Sequence, residues 1–348
     1  HALIAAEPLL EEIPPETRRN VLAAHERLLL ATARPDGWSV AWGRSSEMAI
    51  TSVMELGAIL LAHGCKGSAQ RVAGLVANAF DRFCEHSWAD DAIARHRRGM
   101  THWYRGPGRL LEYSVDALES IAATARTLAQ AETDIACTSD PAELFPFRDE
   151  WIEFDSRGIG AWCFRNEHWD LQLPVVDGYT SDYAAFPIAR DVLEQPVDCP
   201  LACGVPNLFL GRKRYLPLRR PADVTARAGE LTWTTTQFTH YEDFDWWKPV
   251  DDVPGRRSVT LRMDGDALVG EERWTFEELP DRLGFWIPEV NVPLEVTYEC
   301  NVACREATVA VDGMPDWRSY WGPIRRLHQI DIDPAAEVKL IWRVRKKS

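Results

Sequence analysis

The sequence predicts an α+β chain, with N-terminal helical hairpins followed by a large antiparallel β-sandwich, on three observations. Up to residue 128 the apolar residues recur at the three-and-four spacing of amphipathic helices. Beyond residue 150 the period changes to two. Between them, Thr133 to Phe147 is polar, contains proline and keeps neither period. The expected organisation is therefore a helical domain over 1–132, a linker over 133–150 and a β-domain over 151–348.

Taken in order, Thr17 to Ala33 reads as one amphipathic helix, and Glu47 to His63 is apolar almost all round, which calls for burial on most faces. Gly67 to Phe83 places Val72, Leu75, Val76, Ala79, Phe80 and Phe83 at helical spacing. Ser114 caps a further helix carrying Val115, Leu118, Ile121, Ala122, Ala125 and Leu128. Four helices in this sequence pack as antiparallel pairs. The stretch from Asp36 to Ser46, Asp-Gly-Trp-Ser-Val-Ala-Trp-Gly-Arg-Ser-Ser, joins the first two. Its glycines are breakers, Ser45 or Ser46 caps the next helix, and Arg44 stands just before that helix, a place suited to an anion.

Ser87 to Glu112 is a second long connection, basic and aromatic within an acidic chain, and it holds His-Arg-Arg-Gly-Met-Thr-His-Trp-Tyr-Arg-Gly-Pro-Gly-Arg from His96 to Arg109. Loops of this length without structure of their own tend to carry function. A solvated charge run pinned by Trp103 and Tyr104 is the plainer alternative.

In the second half, strand patterns cover Trp151 to Asp155, Ile159 to Phe164, His168 to Leu173, Glu230 to Tyr241, Arg257 to Met263, Ala267 to Phe276, Leu294 to Glu299, Ala307 to Val311 and Val338 to Val344. Asp264-Gly265 marks a hairpin. So many strands favour a sandwich over a small barrel.

Composition excludes several functions. A net charge of -14 argues against a general nucleic-acid or anionic-membrane surface, so an acidic ligand must be met by a local cluster of Arg and His. No window approaches the apolar length of a membrane-spanning helix, and no signal peptide is visible. The expected compartment is the cytoplasm, with a removed leader or a missing N-terminal portion left open because the chain begins at His1. A homo-oligomer is equally open.

The eight cysteines are too few for a disulfide framework. Two equally spaced pairs, Cys199-x3-Cys203 and Cys300-x3-Cys304, fit a structural zinc, although paired core thiols on strands need no metal. His168 and Asp170 share a strand face, and Asp182 is a further candidate ligand for zinc or calcium. An ordinary His–Asp hydrogen bond explains the same pair, and no cofactor is expected.

No Walker loop, dinucleotide fingerprint, His-Glu-x-x-His helix, Gly-x-Ser-x-Gly elbow or cysteine-protease signature occurs. What remains is aromatic and basic: fifteen tryptophans, with Trp38, Trp42, Trp103, Trp246 and Trp247 in or near loops, alongside Arg44, His102, Arg105 and His240. Aromatic faces pack on sugar rings and Arg forks bind carboxylates, a combination that suits an acidic oligo- or polysaccharide.

Helical hairpins carrying the Asp-Gly-x-x-x-x-Trp-Gly-Arg-Ser-Ser segment, followed by a large antiparallel β-sandwich, resemble the heparinase II/III-like group and related polysaccharide lyases, which combine an α/α toroid with β-sheet domains. The helices here are about half those of a complete toroid, so the chain would be a fragment, a reduced version or a different helical domain. The resemblance implies β-elimination at a uronic acid, in a cleft between the helical and β-domains. A base removes the proton α to the carboxylate, a positive group stabilises the enolate-like charge, and an acid protonates the leaving oxygen. By the resemblance, Tyr104 is base or acid with His102 as partner, and Arg44 or Arg105 meets the carboxylate. His240 and Tyr241 end a strand that leads into Glu-Asp-Phe-Asp-Trp-Trp, a loop placed to close the cleft. Trp42, Trp103, Tyr183, Trp246 and Trp247 are the expected sugar contacts.

Each has a duller reading: Arg44 pairing with Asp36 or Glu47, His102 as a structural residue, Trp246 and Trp247 as interface or core, and Tyr183 capping a turn. Two rival functions stand beside the lyase. One is a glycoside hydrolase drawing paired carboxylates from Glu242, Asp243 and Asp245, and the other is a carbohydrate-binding or assembly module.

Overall fold

The computed structural model of the chain describes residues 9, 12–35, 37, 46–65, 67–88, 119, 121–129, 137–154, 158–175, 177, 204–241, 249–290, 293–310, 318–319 and 322–347. It is an α+β protein that divides into two compact units, His1–Arg148 and Asp149–Ser348. Among the described residues no helix is long and apolar enough to cross a membrane.

The first unit is built on the helices Pro15–Thr32, Ser46–His63 and Ala69–Trp88, with helical residues also at 121–129 and a short helix at Pro141–Leu144. The first helix starts on Pro15, whose fixed φ and missing N–H suit the opening turn, and stops where Ala33 turns extended. The core is formed by Leu22 and Leu29 of the first helix, Val53, Met54, Ile59 and Leu60 of the second, and Val72, Leu75, Val76, Ala79 and Phe83 of the third. Phe80, expected in the same stripe, is instead 43% exposed. Gly57 explains how the second and third helices come so close, because a Cβ there would lie 2.3 Å from Val76 Cγ2.

Arg71 ties the unit together. Its Nε donates to Leu144 O and its NH2 to Leu30 O, both at 3.0 Å, so one guanidinium serves carbonyls of two helices. The short helix falls inside the stretch expected to be an unstructured connector. Its signal was Asp140-Pro141: the Asp140 carboxylate accepts from Ala142 N at 2.9 Å as an N-cap, with Pro141 in the first turn.

The second unit contains strands β1 Arg148–Glu153, β2 Gly160–Arg165, β3 Asp170–Val175, β4 Pro206–Leu210, β5 Lys213–Leu216, β6 Ala222–Arg227, β7 Glu230–Tyr241 and β8 Pro249–Asp264. They are followed by β9 Ala267–Phe276, β10 Arg282–Val290, β11 Leu294–Cys300, β12 Cys304–Ala310, β13 Arg318–Ser319, β14 Gly322–Ile332 and β15 Glu337–Lys346. Strands β1, β2 and β3 form a small antiparallel sheet. The other twelve form one sheet in the order β11-β15-β9-β8-β7-β5-β4-β10-β14-β12, with β6 on β7 and β13 on β14.

That large sheet folds back on itself. Phe285 of β10 lies 6.0 Å from Trp274 of β9 and 5.9 Å from Trp342 of β15, ring centroid to centroid, although β10 is several places from either strand in the sheet order. Two facing layers with an aromatic core between them are the sandwich the period-two pattern predicts. Close packing shows at Gly270, opposite Trp342, where a Cβ would fall 2.1 Å from the indole.

The core also buries a charge pair. Arg257 of β8 grips Glu272 of β9 through Nε at 2.7 Å and NH2 at 2.6 Å, and Trp274 Nε1 adds a third donor at 2.8 Å. Arg257 NH2 also reaches Gly204 O at 3.1 Å, and its guanidinium lies over the Trp233 ring. Both charged side chains are almost wholly withdrawn from water, and bidentate pairing is what makes that tolerable.

The expected hairpin at Asp264 pairs that residue with Ala267 across a two-residue turn, with Gly265 at φ +62°.

Candidate functional site

The described residues bring titratable side chains together where β5, β7 and β8 lie side by side. Tyr215 pairs with His240, and His240 pairs with Asp251. Directly paired residues of antiparallel strands present side chains to the same face, so Tyr215, His240 and Asp251 form one row across three strands. The Tyr215 and His240 rings are 5.6 Å apart.

The hydrogen bonds orient this row. Tyr215 OH donates to Asp251 Oδ2 at 2.8 Å, and Lys213 Nζ donates to the same oxygen at 2.9 Å. These two donors, Lys213 first, hold the Asp251 carboxyl below the usual carboxylate range. Burial, reinforced by the bond to Asp251, pushes the Tyr215 phenol up to about 12. The phenol therefore keeps its proton at neutral pH. Only 3% of Tyr215 is exposed, so it is placed to position its neighbours rather than to meet a substrate.

His240 Nδ1 lies 2.9 Å from Arg214 O. A carbonyl only accepts, so Nδ1 carries the hydrogen, and in the neutral ring the lone pair sits on Nε2. The row thus offers a half-buried imidazole poised as a base at Nε2, beside an ammonium on Lys213 that is about half exposed. Asp252, next along β8, points to the opposite face. There Thr239 Oγ1 donates to it at 2.7 Å, Gln237 Nε2 at 3.3 Å, and Arg219 lies 3.6 Å away. The adjacent carboxylates Asp251 and Asp252 therefore do not work on a common bond.

No family model and no curated protein matches the chain. Among solved structures, a 4-α-glucanotransferase from Thermococcus litoralis is 9% identical, with a TM-score of 0.40 over 87% of this chain and 51% of that one. A heparinase III gene product is 8% identical, with a TM-score of 0.33 over 99% of this chain and 58% of that one. Both names belong to carbohydrate-active enzymes, and this chain spans only about half the length of each.

Of the sequence-derived site residues, His240 is described, and it lies in the row above. Arg44, His102, Tyr104, Trp42, Trp103, Arg105, Tyr183, Trp246 and Trp247 lie outside the described residues, as do Asp182, Cys199 and Cys203. Gly37 is the described part of the Asp36–Ser46 segment. It has φ +82° and sits so close to the third helix that a Cβ would lie 2.7 Å from Arg82 Cβ, so both conformation and space demand glycine there.

The proposed sharing of a strand face by His168 and Asp170 needs correction. His168 lies in the turn before β3, with its own N–H and that of Trp169 both donating to Asn166 Oδ1 at 2.8 Å. Its ring faces the neighbouring Glu167, and Asp170 is engaged by Arg165 NH2 at 2.8 Å. An asparagine-capped turn, rather than a strand, is what the residues before Asp170 form. No group of three or more metal-ligating side chains occurs among the described residues.

Sequence reasoning missed Lys213, Tyr215 and Asp251. The first two lie on a four-residue strand, and Asp251 reaches them from far along the chain. The one local signal was Gly211 before and Pro217 after a short Lys-Arg-Tyr-Leu run, which delimits a strand without saying what it faces.

Proposed function

We propose that this chain is carbohydrate-active and, more specifically, a polysaccharide lyase that cleaves a uronic-acid-containing glycan by β-elimination. The observation that carries the reading is the state of His240, with Nδ1–H committed to Arg214 O and Nε2 left as the basic nitrogen. Nε2 abstracts the proton α to the sugar carboxylate. Lys213, on the same face two residues before Tyr215, supplies positive charge for the carboxylate as it takes up electron density. Tyr215 fixes the ring's neighbour Asp251 and packs against the imidazole. By the family resemblance, Tyr104, His102, Arg44 and Arg105 remain candidates for the acid and carboxylate-binding roles. Trp42, Trp103, Tyr183, Trp246 and Trp247 contact the sugar faces.

The test is to incubate the protein with a panel of polyuronic glycans and follow the ultraviolet absorbance of the unsaturated product. His240→Gln is expected to lower kcat by about 10²–10⁴-fold, the usual contribution of a positioned base. Saturated products would replace this reading with hydrolysis by a carboxylate pair drawn from Glu242, Asp243 and Asp245. Glycan binding without turnover would replace it with a binding module.

A further inference from the structure

Strands β11 and β12 are consecutive in the chain, yet they occupy opposite ends of the large sheet. Only Asn301, Val302 and Ala303 join them, and this turn is braced on both sides. Towards β15, Asn301 N donates to Lys339 O at 3.1 Å and its Oδ1 accepts from Lys339 N at 2.7 Å, while its Nδ2 donates to Glu337 O at 3.3 Å. Towards β14, Asp333 N donates to Ala303 O at 2.9 Å. A cysteine stands at each end: Cys300 is the last residue of β11 and Cys304 the first of β12. Both are free thiols, half-buried and packed against the core cluster. Cys304 Sγ donates to Val302 O at 3.4 Å, which folds its side chain back over the turn.

We propose that Cys300 and Cys304 are an oxidisable dithiol that closes to a disulfide and locks the turn joining the two ends of the sheet. The two side chains flank a three-residue turn already held in place by β15 and by the residue after β14. Burial pushes the Cys304 thiol up to about 12. A thiol held that high is scarcely ionised at neutral pH, so the Cys304 sulfur acts second, after the Cys300 sulfur.

With a small disulfide such as oxidised glutathione as oxidant, the Cys300 thiolate attacks one sulfur, the S–S bond of glutathione breaks, and one glutathione thiolate leaves with the electron pair. Cys304 then loses its proton and attacks the Cys300 sulfur, displacing the second glutathione. Two protein thiols are oxidised and one disulfide is reduced to two thiols, which take up the two protons.

The whole chain is incubated with oxidised or reduced glutathione, alkylated and digested with trypsin. Cleavage after Arg282 and Arg305 yields a peptide holding both cysteines and no other. After oxidation it is expected to carry no alkyl label and to be lighter by two hydrogens. For so short a loop in a domain of this size, the unfolding temperature of the second unit rises by about 5 °C, and dithiothreitol reverses the rise. Cys304→Ser is expected to stop at a mixed disulfide on Cys300, whereas Cys300→Ser leaves Cys304 open to alkylation. A wild-type peptide that stays doubly alkylated, or that gains two glutathiones, would overturn the proposal.

Discussion

Replacing Arg257 by Met should strongly destabilise the second unit. The substitution leaves the Glu272 carboxylate, 0% exposed, with only the Trp274 N–H of its three donors, and leaves Gly204 O without the NH2. Breaking a buried pair by removing one partner costs about 3–5 kcal/mol, because the survivor is an uncompensated charge. Taking about 4 kcal/mol and an m-value of about 2 kcal/mol/M, the urea midpoint falls by about 2 M. The tryptophans buried in the second unit, Trp274 among them, make intrinsic fluorescence the readout of the transition. The companion variant Arg257→Met/Glu272→Leu removes both charges. It should recover much of the loss, retaining a cost of about 1–2 kcal/mol for the unpaired Trp274 N–H and Gly204 carbonyl. A single variant within about 1 kcal/mol of wild type, or a double variant as costly as the two singles added, would refute the view that desolvation dominates this pair.

Three further outcomes are expected. Gly270→Ala should cost about 1–3 kcal/mol in urea unfolding, since its Cβ would meet the Trp342 indole at 2.1 Å and a ring fixed in the core cannot yield freely. Gly57→Ala should destabilise the helical unit by a similar amount through Val76, read as loss of helical circular dichroism at a lower temperature than wild type. The Tyr215–Asp251 pair sets two pH limits. Asp251 is depressed below its ordinary 3.8, so its contribution is present above about pH 3.8 and lost as the pH falls through the lowered value. Tyr215 is raised from 10.0 to about 12, so its contribution is present below pH 10 and lost as the pH rises through that window. Tyr215→Phe should therefore unfold with a flatter pH dependence between pH 10 and pH 12 than wild type.

The regular strands of the second unit were legible in the sequence where β-branched and aromatic residues run between turn signals. Glu230 to Tyr241 and Ala267 to Phe276 match β7 and β9 end for end, as runs rich in β-branched and aromatic residues, the second opened by the Asp264-Gly265 turn. Where both faces are covered, or a breaker intervenes, the pattern fails. Strands β4, β5, β6, β10, β13 and β14 were not anticipated. Pro206-Asn-Leu-Phe-Leu is covered along its first residues rather than alternating, and β10 contains both Gly284 and Pro288. Strand β8 was read as starting at Arg257 but begins at Pro249. The pairing of β7 with β8 shifts register around Pro254 and Gly255. Gly255 is required there because a Cβ would lie 2.9 Å from both Phe238 and Thr275 O, so the residue that looks like a strand breaker is the one that lets the strand continue. The row of Lys213, Tyr215, His240 and Asp251 was only partly visible for a related reason. His240 ends a strand that the residue pattern shows, whereas its partners come from elements set by tertiary pairing.

The tryptophan content bears differently on function once the described side chains are placed. Trp162, Trp274, Trp286 and Trp342 are buried, and Trp151, Trp169 and Trp233 pack against the same core. Three of their polar edges serve the fold: besides the bond of Trp274 to Glu272, Trp162 Nε1 donates to Asp149 Oδ1 at 2.7 Å, joining β2 to the start of the unit, and Trp169 Nε1 donates to Asp266 O at 2.6 Å, tying the small sheet to the β8–β9 turn. A sandwich of this size needs large apolar volume between its layers, and indoles supply it while bringing a donor that must be placed. Seven of the fifteen tryptophans thus answer to packing, and the abundance of indole by itself is no argument for sugar binding. The acidic-glycan reading rests instead on the chemistry of one imidazole. His240 has Nδ1 engaged, stays half-buried, and stands in a row with an ammonium and a carboxylate at the end of the strand that leads into Glu242 to Trp247.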